Sequence, residues 1–238
     1  MLTPAIAELW EQDAAGGSVR QRLYRVLRLA IIRMQFAPGQ ALSEKEISDA
    51  FSVSRQPVRE AFIRLSEAGL VDVRPQRGTY VVGISQKSVR EARFVREAVE
   101  TAVSVSAAKQ GLTDKVIYEL RDLIERQVRC ASSGQYDQFF ILDEDFHRVL
   151  ALGAGHETAW RVIEEVKAQL DRVRYLSVPD TTPFEKLVQQ HADIVDAIER
   201  RNEDEARQAM LVHQSEILIS LPQMVQRFSS IFEDTHSS

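Results

Sequence analysis

Four residues in the C-terminal half of the chain, Asp143, His147, His191 and His213, stand where apolar side chains belong. Phe139, Asp143, Phe146, His147 and Leu150 recur at the three- and four-residue spacing of one helix face. His191 interrupts the stripe Leu187, Ile194, Val195, Ile198, and His213 interrupts Ala206, Met210, Ile217. A carboxylate and three imidazoles turned toward an interior are costly unless they are paired or hold a cation. Asp143 and His147 are four residues apart and project from the same side of a helix. His191 precedes Asn202 by about ten residues and His213 follows it by about eleven, so in an antiparallel pair each lies ~15 Å from the turn. The four groups can therefore meet at one height, as a mutually satisfied polar core or as metal ligands. Mixed imidazole and carboxylate donors suit Zn, Ni, Mn, Co or Fe, with Zn or Ni slightly favoured. In an octahedron they would leave two positions open to water or to an acidic ligand. His156 and His236 fall on no such stripe and are read as surface residues.

The elements that carry these residues read as helices. From residue 86 onward the helical period persists through about six segments, 86–110, 114–132, 136–152, 157–176, 183–201 and 203–221. Gly111, Gly134, the Gly153–Gly155 stretch, Pro179–Pro183 and Asn202 separate them. An all-α bundle is the economical architecture for residues 86–238.

Residues 18–85 have a different pattern. Leu23, Val26, Leu27, Ala30 and Ile31 form one helical stripe, closed by the turn Pro38-Gly39. Ser43 to Glu46 is a capping box that opens a short helix with Ile47, Ala50 and Phe51 on one face. Ser54 can cap a third helix whose first turn tolerates Pro57, whose core face is Val58, Ala61, Phe62 and Leu65, and which Gly69 ends. Arg55 and Arg59, four apart at the start of that helix, share a side. Two β-branched runs, 71–74 and 79–82, flank the turn Pro75 to Gly78 and read as a hairpin with Arg77 and Gly78 at its tip. A helix-turn-helix followed by such a hairpin is a winged helix, and the N-terminal end of its second helix is the part that enters a major groove.

Charge separates the same segments. The 238 residues carry a net charge of −5, with 44% apolar and 27% charged residues. Residues 18–85 hold eleven Lys/Arg against six Asp/Glu, whereas residues 86–238 hold nineteen against twenty-six. The extension 1–17 has three acids and no base. A small basic domain joined to a larger acidic one fits a nucleic-acid partner for the first. No apolar run approaches the ~20 residues of a membrane span. The start Met1-Leu2-Thr3-Pro4 lacks the basic and apolar regions of a signal peptide. A single cysteine, Cys130, excludes an internal disulfide framework and fits a reducing cytoplasm.

Pro38-Gly39, Ser43 to Ile47, Val53-Ser54-Arg55-Gln56-Pro57-Val58-Arg59-Glu60-Ala61, Leu65, Gly69-Leu70-Val71 and Arg77-Gly78-Thr79-Tyr80-Val81 resemble the DNA-binding domain of GntR-family bacterial transcription regulators. That resemblance implies phosphate and base contacts from Lys45, Arg55 and Arg59, with Gly78 at the wing tip. Gln56 stands where many members have threonine, and a glutamine can pair bidentately with adenine. Residues 86–222 resemble the FCD-type effector-binding domain found behind such winged helices. Members with the Asp-x-x-x-His pair and two later histidines bind a divalent metal there, which implies Asp143, His147, His191 and His213 as ligands. The same resemblance points to Arg96, and to Arg172 or Arg174, as clamps for an acidic effector. Arg96 is equally placed to pair with Glu100. Glu60 and Arg64 are read as partners within the domain rather than DNA contacts.

The expectation is a mainly α chain with an extension 1–17, a winged helix-turn-helix 18–85 and a helical effector-binding and dimerisation domain 86–238. It would be a cytoplasmic homodimeric regulator, a repressor rather than an enzyme, that binds double-stranded operator DNA and responds to a small organic acid at the metal. Two rivals are a metal-dependent enzyme acting on a carboxylic acid, and a regulator whose bundle only dimerises. The effector, the metal, the operator and the sign of regulation are not written in the sequence.

Overall fold

The computed structural model describes residues 3–13, 15–177 and 183–233. The turn expected at Pro179 and the surface position of His236 lie outside them. The chain divides into two compact units, one made of residues up to Ser88 together with those from Phe228, the other of Val89–Arg227.

The first unit opens with helix α1, Pro4–Gln12, in the extension for which the sequence predicts no element. Its Ile6 is fully buried, and Trp10 stacks on Phe51 with ring centroids 4.6 Å apart. Arg22 also lies over the indole, at 4.0 Å. Helix α2, Val19–Ile32, starts with a reciprocal capping box between Ser18 and Gln21 and buries the whole expected stripe from Leu23 to Ile31. Strand β1, Ala41–Leu42, leads into α3, Glu44–Ala50, where Ser43 accepts the Glu46 amide at 3.3 Å. Ile47, Ser48 and Phe51 form the buried face, and Ala50, expected there, is exposed. Ser48 can be buried because its hydroxyl bonds the Lys45 carbonyl at 2.9 Å.

Helix α4, Arg55–Glu67, buries Val58, Ala61, Phe62 and Leu65 and ends at Gly69 with φ +67°. Ser54 holds the N-cap position but makes no side-chain cap bond. The wing is β2, Val71–Arg74, and β3, Gly78–Val81, paired antiparallel with Arg74 opposite Gly78. β1 adds to the far side of β3, pairing Leu42 with Thr79, so the sheet has the order β1-β3-β2. The sequence gives no warning of β1, because two residues are too few to show an alternation.

The C-terminal segment also belongs to the first unit, not to the bundle in which helical periodicity alone would place it. A single 3-10 turn, Ser229–Ile231, leads to Phe232, which pairs parallel with Ile84. The Ile84 amide bonds the Ile231 carbonyl at 2.8 Å, and the Glu233 amide bonds the Ile84 carbonyl at 3.0 Å. Ile84 is fully buried, and Phe232 is 8% exposed.

The second unit is all helix. α5 is Gln86–Gln110, its first turn still in the first unit; α6 is Asp114–Ser133 and α7 is Tyr136–Gly153. α8 is Glu157–Val166, α9 is Ala168–Ser177, α10 is Phe184–Glu199 and α11 is Glu203–Arg227. The expected segment 157–176 is thus two helices broken at Lys167, whose ammonium turns inward to Glu144 and to Asp171 at 2.7 Å. The last helix runs beyond 221, through Pro222. Proline removes the bond to the carbonyl four residues earlier, here that of Leu218. Leu218 is exposed, so the freed carbonyl lies on the solvent side of the helix rather than in the core. The core runs through Leu120, Phe146, Leu150, Ile163, Ile194, Ile198 and Met210.

Candidate metal centre and nucleic-acid interface

α7, α10 and α11 bring Asp143, His147, His191 and His213 together. Their ligand atoms lie within 4.8 Å of one another, and all four residues are buried. The His191 and His213 ring centroids are 4.7 Å apart, as the equal distances from the Asn202 turn require. Phe146 stacks on His191 at 4.1 Å and closes the site on that side.

Asp143, His191 and His213 each have one atom hydrogen-bonded outward and one facing the centre, while His147 Nδ1 lies near a carboxylate without hydrogen-bond geometry. His191 Nδ1 meets Gln127 Oε1 at 2.8 Å, and His213 Nδ1 meets Gln190 Oε1 at 3.1 Å. His147 Nδ1 lies 3.1 Å from Glu100 Oε2. Arg174 donates to Asp143 Oδ2. This leaves three Nε2 atoms and Asp143 Oδ1 pointing inward. Among the described residues, His191 Nε2 and Asp143 Oδ1 have no hydrogen-bond partner although both are buried. His147 Nε2 and His213 Nε2 approach to 3.1 Å. Two nitrogens each ~2.1 Å from one divalent cation, at the angles of a tetrahedron or octahedron, lie ~3.0–3.4 Å apart. The donor set therefore fits a divalent transition metal, held by one carboxylate oxygen and three imidazole nitrogens.

The electrostatics favour the ligand forms of His191, His213 and Asp143. Burial, with the neighbouring imidazoles and guanidinium adding to it, outweighs Asp143 and pushes His191 down to about 3. Burial likewise holds His213 well below the usual histidine value, helped by His191, His147, Arg96 and Arg174. Burial opposes ionisation of Asp143, but the Arg174 charge and the imidazoles overcome it and lower its pKa. Glu100 is lowered to about 2 against its own desolvation, chiefly by Arg96 and His147. Neutral imidazoles and ionised carboxylates are the ligand forms.

A pocket borders the site. Arg96, Asp143, Arg174, His213, Gln214 and Glu216 give it polar walls, and Phe139, Phe140, Leu170, Leu187 and Ile217 give it apolar ones. Arg96 lines the pocket and forks onto Glu100, the pairing its spacing allows, with Nε at 2.9 Å and Nη2 at 3.2 Å. Arg174 lines the pocket while binding Asp143 and, at 2.7 Å, Glu144. Arg172 is fully buried and is absent from that lining; its Nη1 meets Gln169 at 3.4 Å. His156 is half-buried rather than a plain surface residue, with Nε2 2.8 Å from Ser106 Oγ. Sequence patterning does not single out Gln127, Gln190 and Glu216, and it marks Glu100 only as a partner for Arg96. A signal is present for two of them. Gln127 continues the α6 stripe Leu120, Leu123, Ile124, and Glu100 continues the α5 stripe Val89, Ala92, Arg96.

At the other end of the chain, Lys45, Arg55, Gln56, Arg59 and Arg77 are exposed, and Gly78 sits at the wing tip with φ +106°. That φ belongs to glycine, while a Cβ there would make only an ordinary contact with the Tyr80 ring at 3.7 Å. Arg59 forks onto Glu44, with Nε at 3.1 Å and Nη2 at 3.0 Å, and this contact lowers the Glu44 pKa and raises that of Arg59. Gln56 Nε2 donates to Glu60 at 3.0 Å. Arg64 lies over the Tyr24 ring at 4.1 Å, and Glu60 also faces Arg20 at 3.7 Å, so both turn into the domain.

Comparison with known proteins agrees with both halves. Residues 19–81 match the gntR family of bacterial regulatory proteins, and residues 91–216 match the FCD domain. The chain is 45% identical over 216 residues to the HTH-type transcriptional repressor RspR of Escherichia coli K12, covering 91% of this chain and 94% of that one. A putative GntR transcriptional regulator from Rhodococcus sp. RHA1 has a similar structure, with TM-score 0.70, 27% identity and coverage of 85% and 98%. Escherichia coli McbR/YncC, at 18% identity, shares the fold with TM-score 0.76 over 90% of this chain and all of that one. The matched gntR family and the relative RspR are transcription regulators, so the enzyme rival is set aside. The chain belongs to the GntR family of bacterial regulatory proteins, and is a DNA-binding transcription regulator with an FCD domain behind its winged helix.

Proposed function

We propose that this regulator is a cytoplasmic homodimeric repressor whose hold on its operator is released by a small carboxylic acid bound at a divalent metal. The winged helices would read two half-sites related by two-fold symmetry, which is why a dimer is expected. Arg55, Gln56 and Arg59 at the start of α4 would face base edges, Lys45 a phosphate, and Arg77 and Gly78 the adjacent groove. The repressor sense is taken from the name of its 45% identical relative, RspR. No described helix is long and apolar enough to cross a membrane, in keeping with DNA as the partner.

The observation that carries the sensor half is the inward convergence of Asp143 Oδ1 and three imidazole nitrogens, with the other polar atoms of Asp143, His191 and His213 already hydrogen-bonded. When bound, the metal supplies a Lewis-acidic centre for an anionic oxygen. Arg174 and Arg96 would orient the acid through guanidinium hydrogen bonds. Arg172 lies outside the pocket lining and takes no part in this reading. The effector must bind one arrangement of the dimer better than the other in order to shift operator affinity.

The test is elemental analysis of the purified protein and of His191→Ala and His213→Ala, with operator binding measured alongside. The wild type is expected to retain about one metal per chain, and both variants to lose it while still binding DNA. Full occupancy in both variants would refute the site. Carboxylic acids are then titrated against the metal-loaded protein–operator complex. The expected active compounds weaken binding, and lose that effect in Arg174→Ala.

A further inference from the structure

We infer that Gln127 and Gln190 are positioning residues that fix the His191 and His213 imidazoles in the Nδ1–H tautomer, so that both Nε2 lone pairs face the metal centre. The inference rests on the metal reading above and extends it to two amides that are not themselves ligands.

The argument starts from which end of each amide must donate. Gln127 Nε2 lies 3.1 Å from the Leu142 carbonyl, which can only accept. The NH₂ group therefore belongs at that end, and the oxygen is left facing His191 Nδ1 at 2.8 Å. An oxygen at that distance requires a proton on Nδ1. In an imidazole whose one ring proton is on Nδ1, Nε2 carries the lone pair.

The same logic holds on α10. Gln190 Nε2 lies 2.8 Å from Glu216 Oε1, a carboxylate oxygen that Lys186 also grips at 2.7 Å. The amide oxygen of Gln190 is thereby turned to His213 Nδ1 at 3.1 Å. Gln127 is fully buried and Gln190 nearly so, which denies water the chance to replace either acceptor. The two anchors differ in kind. Leu142 O is fixed backbone in α7, whereas Glu216 is a side chain at the pocket wall.

An imidazole orienter of this type is worth about 10–100-fold in metal affinity. The first measurement needs no metal. ¹⁵N shifts of the histidine rings in chelator-treated protein report the tautomer directly. His191 and His213 are expected with a protonated Nδ1 and a bare Nε2, and Gln127→Leu is expected to mix the His191 tautomers while leaving His213 unchanged. A predominant Nε2–H tautomer for His191 in the wild type overturns the inference.

The second measurement is Co²⁺ affinity by competition with a chromophoric chelator. Gln127→Leu and Gln190→Leu are each expected to weaken it by about 10–100-fold. Wild-type affinity in both leucine variants, with unchanged helicity by circular dichroism, overturns the positioning role. Failure of the wild type to bind Co²⁺ at all would instead defeat the metal reading, and the ring shifts would still decide the tautomer question.

Discussion

His191 illustrates how burial makes one imidazole answer to pH. Its pKa falls from the ordinary 6.5 to about 3 because the ring is fully buried, and His213 moves in the same direction. Between those limits the unfolded chain takes up protons that the folded chain refuses, so stability rises with pH. The contribution is intact above about pH 6.5 and drains away as pH falls toward the folded value. A single such group changes stability by at most about 1.4 kcal/mol per pH unit. Chelator-treated protein is therefore expected to lose urea resistance steadily from pH 7 to pH 5, and His191→Asn to lose less over that interval. Parallel profiles for the two would contradict a buried neutral imidazole. Much of this site is legible from residue types alone, because three histidines and an aspartate on apolar stripes must either satisfy one another or share a cation. Gln190 and Glu216 are not legible in the same way. A glutamine beside an expected ligand is unremarkable until the helix opposite supplies the carboxylate that turns its amide.

At the scale of elements, α4 shows which features a sequence can and cannot disclose. Its apolar face, its proline in the first turn and its closing glycine are local, and all hold. Local logic fails where the decisive contact is distant in sequence. Lys167 breaks α8 from α9 while bonded to Glu144, twenty-three residues away, and no glycine or proline marks the spot. β1 exists only because β3 offers it an edge. The exposed start of α4 leads to an expectation for DNA binding. Arg59 is held by Glu44 in the free protein, across fifteen residues of chain. A base or phosphate contact must therefore displace a solvent-exposed ion pair, which is worth little. Arg55→Ala and Arg59→Ala are each expected to weaken operator binding by about 1–3 kcal/mol at fixed salt if they touch bases. Glu44→Gln frees Arg59 and is expected to leave affinity equal or higher. Fluorescence anisotropy with operator DNA measures all three, and undiminished affinity in both arginine variants would remove α4 from the interface.

At the scale of the whole molecule, residues near both ends of the described chain, 3–88 and 228–233, belong to the same unit. The winged helix, bounded at residue 85 by its sequence pattern, also takes in residues 228–233, held by two backbone bonds to Ile84 and by buried Phe232. Nothing in the sequence betrays this, since a lone phenylalanine after a proline-containing helix has no periodicity. The crossing is tight at one point. A Cβ on Gly83 would stand 2.9 Å from Glu233 Cγ, 3.1 Å from its amide nitrogen and 3.4 Å from its Cα. Two of those neighbours are backbone, so a larger residue cannot be accommodated by a side-chain rotation alone. Phe232→Ala removes a buried ring, a change that costs about 3 kcal/mol when the cavity does not collapse. Gly83→Val attacks the same junction from the other strand. Both are expected to release the terminal segment before the rest of the unit unfolds, since they weaken the junction at Ile84 and leave the α4 core untouched. Amide hydrogen exchange checks this at two positions, Ile84 and Glu233, whose protection should fall together while that of Phe62 in the α4 core stays high. Undisturbed protection of Ile84 in both variants would mean that the terminal segment contributes nothing to the unit it joins.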